Sequence, residues 1–478
     1  MSDLLDRRIS RRKMIKGTVA GLAVGALAAC QPSKVVEVTK IVEKEVEKEV
    51  TRIVEKEAPK EGGELVLHYI TQLWAWQKLN TATATDQYNM NNRGKVRVEV
   101  DPAPDGWTTK VVQMIKDNEL QWDGHGRARN LGEIRDYNRL GILQPWDPYI
   151  EASSLPWASK FWDEVLPNIR ESFSQDGHLY GLPWDIEAFC RVYRADLWKE
   201  LGETPAETLE EFENQLLEMK KIYPDKVPFG FNHWTTHPSE QMWIQLFLEG
   251  DDTGWIYEEG LGSMFDVRGD AYKQVLLMWK RWAESGIITK DSMSQETWQD
   301  NWLKGLTTCV QSNASWTQAQ SSKIYGRANI IPMPNFVLKA GDTPVTFTFA
   351  NGAMLFKGAK HPQEITDWWL WMLDPTVEKV GNYSLIKGCL DYYHFPVYKS
   401  IYTNIIPSNS DWAWMEQLFP QIENSKTIPT DAHLDIYGPI AKSWHEKFLW
   451  GDASLEECVN GIYEEEREQT KKFLAGQA

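Results

Sequence analysis

The sequence predicts an α/β protein, and three observations carry that expectation. Short apolar runs such as Glu64–Ile70, Val96–Val100, Leu179–Leu182 and Phe189–Tyr193 read as strands, and helical stretches stand between them. Turn and cap residues fall at the joints: Asp176-Gly177 before one strand, Gly202 after one helix, Thr208 and Ser454 before others. The length of 478 residues allows two or three domains, and 42% hydrophobic with 25% charged residues is the balance of a soluble globular chain. A formal net charge of -17 argues against nucleic acid or an anionic membrane surface as the main partner. Beyond the N-terminus no run of apolar residues is long enough for a polytopic membrane domain.

The N-terminus carries an address. Ser10-Arg-Arg-Lys-Met-Ile-Lys16 resembles a twin-arginine export signal, with Met14 and Ile15 in place of the usual Phe and Leu. A weakly hydrophobic Gly/Ala-rich run, Gly17 to Ala26, suits a cleaved signal and is too short to span a bilayer. Leu27-Ala28-Ala29-Cys30 resembles a bacterial lipobox, which makes Cys30 the lipidated first residue of the mature chain. Val35 to Lys60 is then nearly all Val, Ile, Glu, Lys and Thr, with Val42, Val46, Val50 and Val54 forming one narrow stripe. That stripe buries too little to fold alone, so 31–62 reads as a charged tether between anchor and body.

The body opens with the strand at Glu64–Ile70, and Gln72-Leu-Trp74-Ala-Trp76 leaves its carboxyl end, where open α/β sheets bind ligands. Val96–Val100 is the second strand, and Trp107 opens the helix that follows. In the centre, Gln175-Asp176-Gly177 signals a turn, Leu179–Leu182 a strand, and Pro183 the end of its ladder. Trp184 and Asp185 are expected just past that strand, an aromatic face beside a carboxylate as ligand sites have. Phe189–Tyr193 is a further strand, and Arg194–Gly202 a short helix before the longer one capped by Thr208.

In order, Asp176, Gly177, Tyr180, Gly181, Leu182, Pro183, Tyr193, Asp196, Leu197, Gly202, Pro205, Thr208 and Phe212 make a pattern. It resembles the central signature of the extracellular solute-binding proteins of ABC sugar importers, the maltose-binding-protein-like family. Asn301–Val310 with Asn313-Ala-Ser315-Trp316, the segment Ile330–Pro334, Thr346–Phe356 and Trp450–Ser454 are similar to later elements of that family. The resemblance covers nearly everything from Gly62 to Phe473. One departure stands at Gln121-Trp-Asp-Gly-His-Gly-Arg-Ala-Arg129, where the family carries a Gly-x-x-Pro-Asp-Val strand, so ligand contacts after that strand do not transfer.

The resemblance implies a two-lobed periplasmic-binding-protein fold of type II with a hinge. It divides the chain into a signal peptide at 1–30, the tether at 31–62, an N-terminal lobe at 63–185 and 335–388, and a C-terminal lobe at 186–334 and 389–478. Crossings are expected near Trp184–Ala188, Met333–Asn335 and Ile386–Leu390. It implies a sugar ligand, an oligosaccharide first, together with ABC permease subunits as partners and a position on the outer face of the cytoplasmic membrane. No nucleic acid, cofactor, metal or catalysis is expected.

A sugar presents apolar C–H faces and a belt of hydroxyls, so its site needs aromatic platforms and groups that donate and accept. The 24 tryptophans exceed what a core needs, and part of that excess is expected at the ligand. Trp184 and Asp185 lead the candidates. Trp316, on the Gly-Ser-Trp-like element, is a platform; Trp74 and Trp76 point to opposite sides of an extended chain, so one of them faces the cleft. Trp107 and Trp234 divide between core and cleft. Asn351 replaces a glycine of the family, and its amide suits a hydroxyl. Trp368, Trp369 and Trp371 are assigned to core.

Cys190, Cys309, Cys389 and Cys458 show no metal-ligand spacing and are expected as buried thiols, with a disulfide between any two left open. The rival reading is a secreted glycoside hydrolase, whose clefts also combine Trp with acids, although the carboxylates here fall in no acid/base signature. The other alternative is the same fold holding a non-sugar polar solute.

Overall fold

The computed structural model describes residues 63–475, apart from 73–80, 232–238, 249–251, 295–296, 348–349, 376–384, 393 and 430–431. The export signal, Cys30, the tether, Trp74, Trp76 and Trp234 lie outside the described residues. The compact body begins at Glu64.

Two sheets carry it. Their strands, in chain order, are β1 (Leu65–Thr71), β2 (Val96–Pro102), β3 (Gly124–Arg129), β4 (Gly181–Ile186), β5 (Phe189–Arg194), β6 (Val227–Phe231), β7 (Thr307–Asn313), β8 (Ile330–Met333) and β9 (Ala350–Leu355). The first sheet runs β2-β1-β3-β9-β4 and the second β8-β5-β7-β6. In the first, β1 pairs parallel with β2 and β3, while β9 runs antiparallel between β3 and β4. In the second, β7 lies parallel to β6 and antiparallel to β5. Each sheet anchors one lobe.

Local chemistry explains the joints. Asp176 and Gly177 both adopt positive φ, 52° and 79°, and turn the chain between Gln175 and His178 as a tight hairpin. Gly202 ends its helix at φ 72°, and Thr208 forms a capping box with Glu211 at the head of the helix Leu209–Ile222. Gly181 and Gly352 lie under the ring of Phe173, where an added Cβ would come within 2.3 and 2.7 Å of ring carbons. That close approach requires glycine in the Tyr-Gly-Leu-Pro run.

One expectation fails here. Pro183 does not end its strand: β4 runs on through Trp184, Asp185 and Ile186, all buried. The ladder survives because its register shifts at this point, with Asn351 opposite Asp185 but Gly352 opposite Pro183. Trp184 is the extra residue of a bulge, which removes the demand on the missing proline N–H.

Tryptophan fills both cores. Trp146, Trp184, Trp302, Trp368 and Trp369 are fully buried in one cluster, which includes Tyr69 of β1, and Trp243, Trp279 and Trp282 in the other. Trp368 meets Tyr69 edge-on, with centroids 5.2 Å apart at 80°. Burying each such ring contributes about 1.5–3 kcal/mol, so these eight tryptophans belong to packing. Cys190, Cys309, Cys389 and Cys458 are buried and unbridged, and burial pushes the Cys190 thiol up to about 12.

The chain passes between the sheets at Ile186–Phe189 and again between Met333 of β8 and Ala350 of β9. The third passage departs from the expected one near Ile386–Leu390. Phe395 exchanges both backbone hydrogen bonds with Ile186, at 2.7 and 2.9 Å, and Tyr398 bridges Val165. These tie 395–398 to the first lobe, as Asn168 does Ile422 and Ser425 through its amide at 2.8 and 2.6 Å, and the crossing falls between Ser425 and Ile428, which packs in the second cluster. Phe395, Val397, Tyr398 and Ile401 cap the first core without the periodicity that would reveal it in sequence.

Candidate functional site

The carboxyl ends of β1 and β3 meet the start of β9 and the end of β4, and a polar network sits there. Asn351 stands opposite Arg129 on one side and Asp185 on the other. Residues facing one another across an antiparallel pair share a face, so Asn351 and Asp185 point the same way. Arg127, two residues before Arg129, joins them. Its Nε donates to Asn351 Oδ1 at 2.8 Å and its Nη1 to Gln72 Oε1 at 2.5 Å. The Asn351 amide nitrogen donates in turn to Asp185 Oδ1 at 2.7 Å and to Glu187 Oε1 at 3.3 Å.

The network has two layers. Asp185 and Asn351 are 0% exposed, whereas Gln72, Arg127 and Glu187 are half-buried and reach solvent. A carboxylate so deeply buried needs full pairing. Asp185 has it: the backbone N–H of Asn351 at 3.2 Å, the Asn351 amide, and Nδ1 of His394 on its second oxygen. Burial alone would lower the His394 pKa, and Arg127 adds to that. The charge and hydrogen bond of Asp185, with the charge of Glu187, outweigh both and hold it raised. The guanidinium of Arg127 and the ring of His394 thus stand among two acidic side chains. The buried layer fixes where the outer guanidinium and carboxylate point.

The expected site residues are distributed unevenly. Asp185 and Asn351 are brought together, but below the surface rather than at a cleft rim. Trp184 faces the interior at 2% exposure, with its indole N–H donating to Gly126 O at 3.2 Å. With Tyr69, Trp368 and Trp369 it lines a void of about 10 Å³, room for one water and not for a sugar ring. Trp107 lies on the helix Trp107–Asp117 and stacks on His125 with centroids 4.5 Å apart at 16°, and on Phe356 at 5.7 Å. Burial lowers the His125 pKa to about 3, so that ring packs as neutral imidazole. Trp316 falls in the first turn of the helix Ala314–Tyr325, which follows β7.

Arg127, Glu187, Gln72 and His394 were not singled out in the sequence. Arg127 had a visible signal: an arginine between Gly126 and Ala128 on a strand whose neighbours are small has no core to enter. It stands in the very stretch that departs from the family pattern. In the second lobe a cavity of about 380 Å³ opens beside Trp243, Gln245, Gln311, Asn335 and Thr343, mixing amides with apolar walls. Among the described residues no group of His, Cys, Asp and Glu could hold a metal ion.

Known proteins with this architecture bind solutes. The solved sugar-binding protein MalE of Xanthomonas citri superposes with a TM-score of 0.67 at 16% identity, covering 86% of this chain and 98% of its own. The cyclic alpha-maltosyl-1,6-maltose binding protein of Arthrobacter globiformis gives 0.67 at 16%, covering 86% and 100%. The galacto-N-biose/lacto-N-biose I-binding protein of the Bifidobacterium longum ABC transporter gives 0.63 at 13%, covering 87% and 99%. At these identities the likeness establishes the two-lobed α/β fold of maltose-binding-protein type. A sequence comparison with curated proteins found no match. The family profile of bacterial extracellular solute-binding proteins matches residues 83–379, most of the folded body, and the chain belongs to that family.

Proposed function

We propose that this chain is the sugar-binding component of an ABC importer, closing its two lobes around an oligosaccharide and handing it to a membrane permease. The observation that carries the reading is the layered network at the first crossing. Arg127 and Glu187 offer a donor fork and a carboxylate, each oriented by the buried Asn351 amide. Hydroxyl belts need donors and acceptors whose directions are set before the ligand arrives, because ordering them on binding would cost affinity. Asp185, committed to Asn351 and His394, holds the site in shape and does no acid–base chemistry. The relatives of like fold are named for maltosyl sugars and for galacto-N-biose and lacto-N-biose, which supports a ligand of more than one ring. The Leu27–Cys30 lipobox supports a lipid anchor at Cys30, with 31–62 as the tether to the outer face of the cytoplasmic membrane.

Calorimetric titration of the purified body with maltotriose, maltotetraose and lacto-N-biose, followed by chromatography of the recovered ligand, tests this. At least one sugar should bind with a micromolar or lower Kd and return intact. Binding of none would remove the sugar from the reading. Recovery of cleaved sugar would make the protein a hydrolase.

A further inference from the structure

The three passages between the lobes are joined at one side chain. Gln421, on the short helix Phe419–Glu423 just before the third crossing, is 0% exposed. Its Oε1 accepts from the backbone N–H of Asn335 at 2.8 Å, on the second crossing. Its Nε2 donates to the carbonyl of Phe189 at 3.0 Å, at the end of the first. The two partners fix the amide's orientation, since an N–H demands an acceptor and a carbonyl a donor. Neighbouring contacts extend the junction. Asn335 Oδ1 accepts from Gln311 Nε2 at 3.0 Å, Lys426 N donates to Thr346 O at 2.8 Å, and the rings of Phe189 and Phe347 lie 5.2 Å apart.

We infer that Gln421 is a positioning residue for ligand capture: its amide rivets the three crossings so that the lobes move about one shared axis. The inference rests on the reading of the chain as a closing two-lobed binder. Geometry makes the amide hard to replace. Leucine satisfies neither backbone group, and ionised glutamate accepts from Asn335 but repels the Phe189 carbonyl. Protonated glutamic acid restores both bonds, its carbonyl accepting and its O–H donating. Gln421→Glu should therefore convert the rivet into one that works only when protonated.

The test needs no ligand. Met90, 76% exposed on the first lobe, and Tyr257, 74% exposed on the second, are replaced by cysteine in a Cys30→Ala background and labelled for single-molecule energy transfer, the four cysteines among the described residues being buried. The otherwise unchanged protein should give one narrow distance distribution, and Gln421→Leu a broadened one. Gln421→Glu should match the parent at pH 5 and broaden as the pH rises to 8, beyond any change the parent itself shows. A maltotriose titration then asks whether broadening accompanies at least a tenfold loss of affinity; failure of the sugar alone would leave the distance result standing. Hydrogen exchange on the unsubstituted chain gives a second check, with the Asn335 amide protected as well as the amides of β5. Identical distributions in all variants, a fall in melting temperature without broadening, or fast exchange at Asn335 would each overturn the inference.

Discussion

His394 and Asp185 form an ion pair across the base of the first crossing, their side chains 4% and 0% exposed. The next residue, Phe395, is bonded to Ile186, the residue after Asp185, so the pair fastens the stretch 394–398 to β4. Among the described residues, the groups facing His394 include Asp185 and Glu187, Arg127 from β3, and the ring of Tyr392 stacked at 5.7 Å.

The raised His394 pKa sets a pH dependence. A histidine raised above its unfolded value contributes stability that is complete below about 6.5 and is lost as pH climbs through the folded value. The melting temperature should fall on that alkaline limb, and His394→Gln should flatten it. Asp185→Asn takes the counter-charge from the buried imidazole and should cost about 3–5 kcal/mol. Equal alkaline slopes in parent and His394→Gln would show that the pair does not titrate.

Glu466 gives a second pH signature, far from the network. It lies 2% exposed on the C-terminal helix Leu455–Leu474, its nearest cation Arg467 at 3.6 Å. Burial lifts its carboxyl to about 8 against the pull of Arg467, with Glu258 adding to the rise. Between about 4.5 and 8 the folded state holds a proton that the unfolded state has lost, so this group's contribution declines as pH rises. Glu466→Gln should match the parent near pH 4 and exceed it at pH 8, by about 1–3 kcal/mol. Thermal melts at the two pH values decide it.

Trp184 now predicts loss of fold rather than loss of ligand. Truncating a fully buried tryptophan typically costs about 3–5 kcal/mol, and its indole N–H bond to Gly126 goes with it. Trp184→Ala should lower the melting temperature by many degrees, and Trp184→Phe should recover part of that. A stable Trp184→Ala protein with weakened sugar binding would return the residue to the cleft.

The contrast between Trp184 and Thr208 shows what the sequence made legible. Caps and turns were readable because Thr208 with Glu211 and Asp176 with Gly177 satisfy their own backbone within a few residues. The two-lobed α/β class came through the family pattern, which the fold bears out. Trp184 misled because its place depends on a bulge opposite Asn351, a pairing more than 160 residues away that Pro183 appeared to forbid. Glu187 escaped for the same reason, and the signal at Arg127, an arginine among small strand neighbours, does not name Asn351 as its partner. The third crossing was misplaced because Phe395 and Tyr398 bind Ile186 and Val165, which nothing local reveals.

The anchor proposal has a direct test. Cys30→Ala should release the protein from the membrane pellet into the soluble fraction of a bacterial host that lipidates exported chains. The melting temperature of the body, which begins at Glu64, should not change. An unsubstituted chain already fully soluble there would end the proposal.

Arg127 and Glu187 carry the sharpest claim about ligand capture. Losing a charged hydrogen bond costs about 1.5–3 kcal/mol, so Arg127→Ala and Glu187→Gln should each weaken maltotriose binding by roughly ten- to a hundredfold. Arg127→Lys keeps the charge but cannot span Asn351 and Gln72 together, and should recover only part of the loss. Both side chains are half-buried, so water can replace them at Asn351 and the fold should lose little. Asn351→Leu should behave differently, since it strands Asp185 and Arg127 at once, and should lower stability and affinity together. Calorimetry and melting curves on the four variants separate the layers. If Arg127→Ala and Glu187→Gln bind as the parent does while melting far below it, the outer layer is structural and the ligand is held elsewhere.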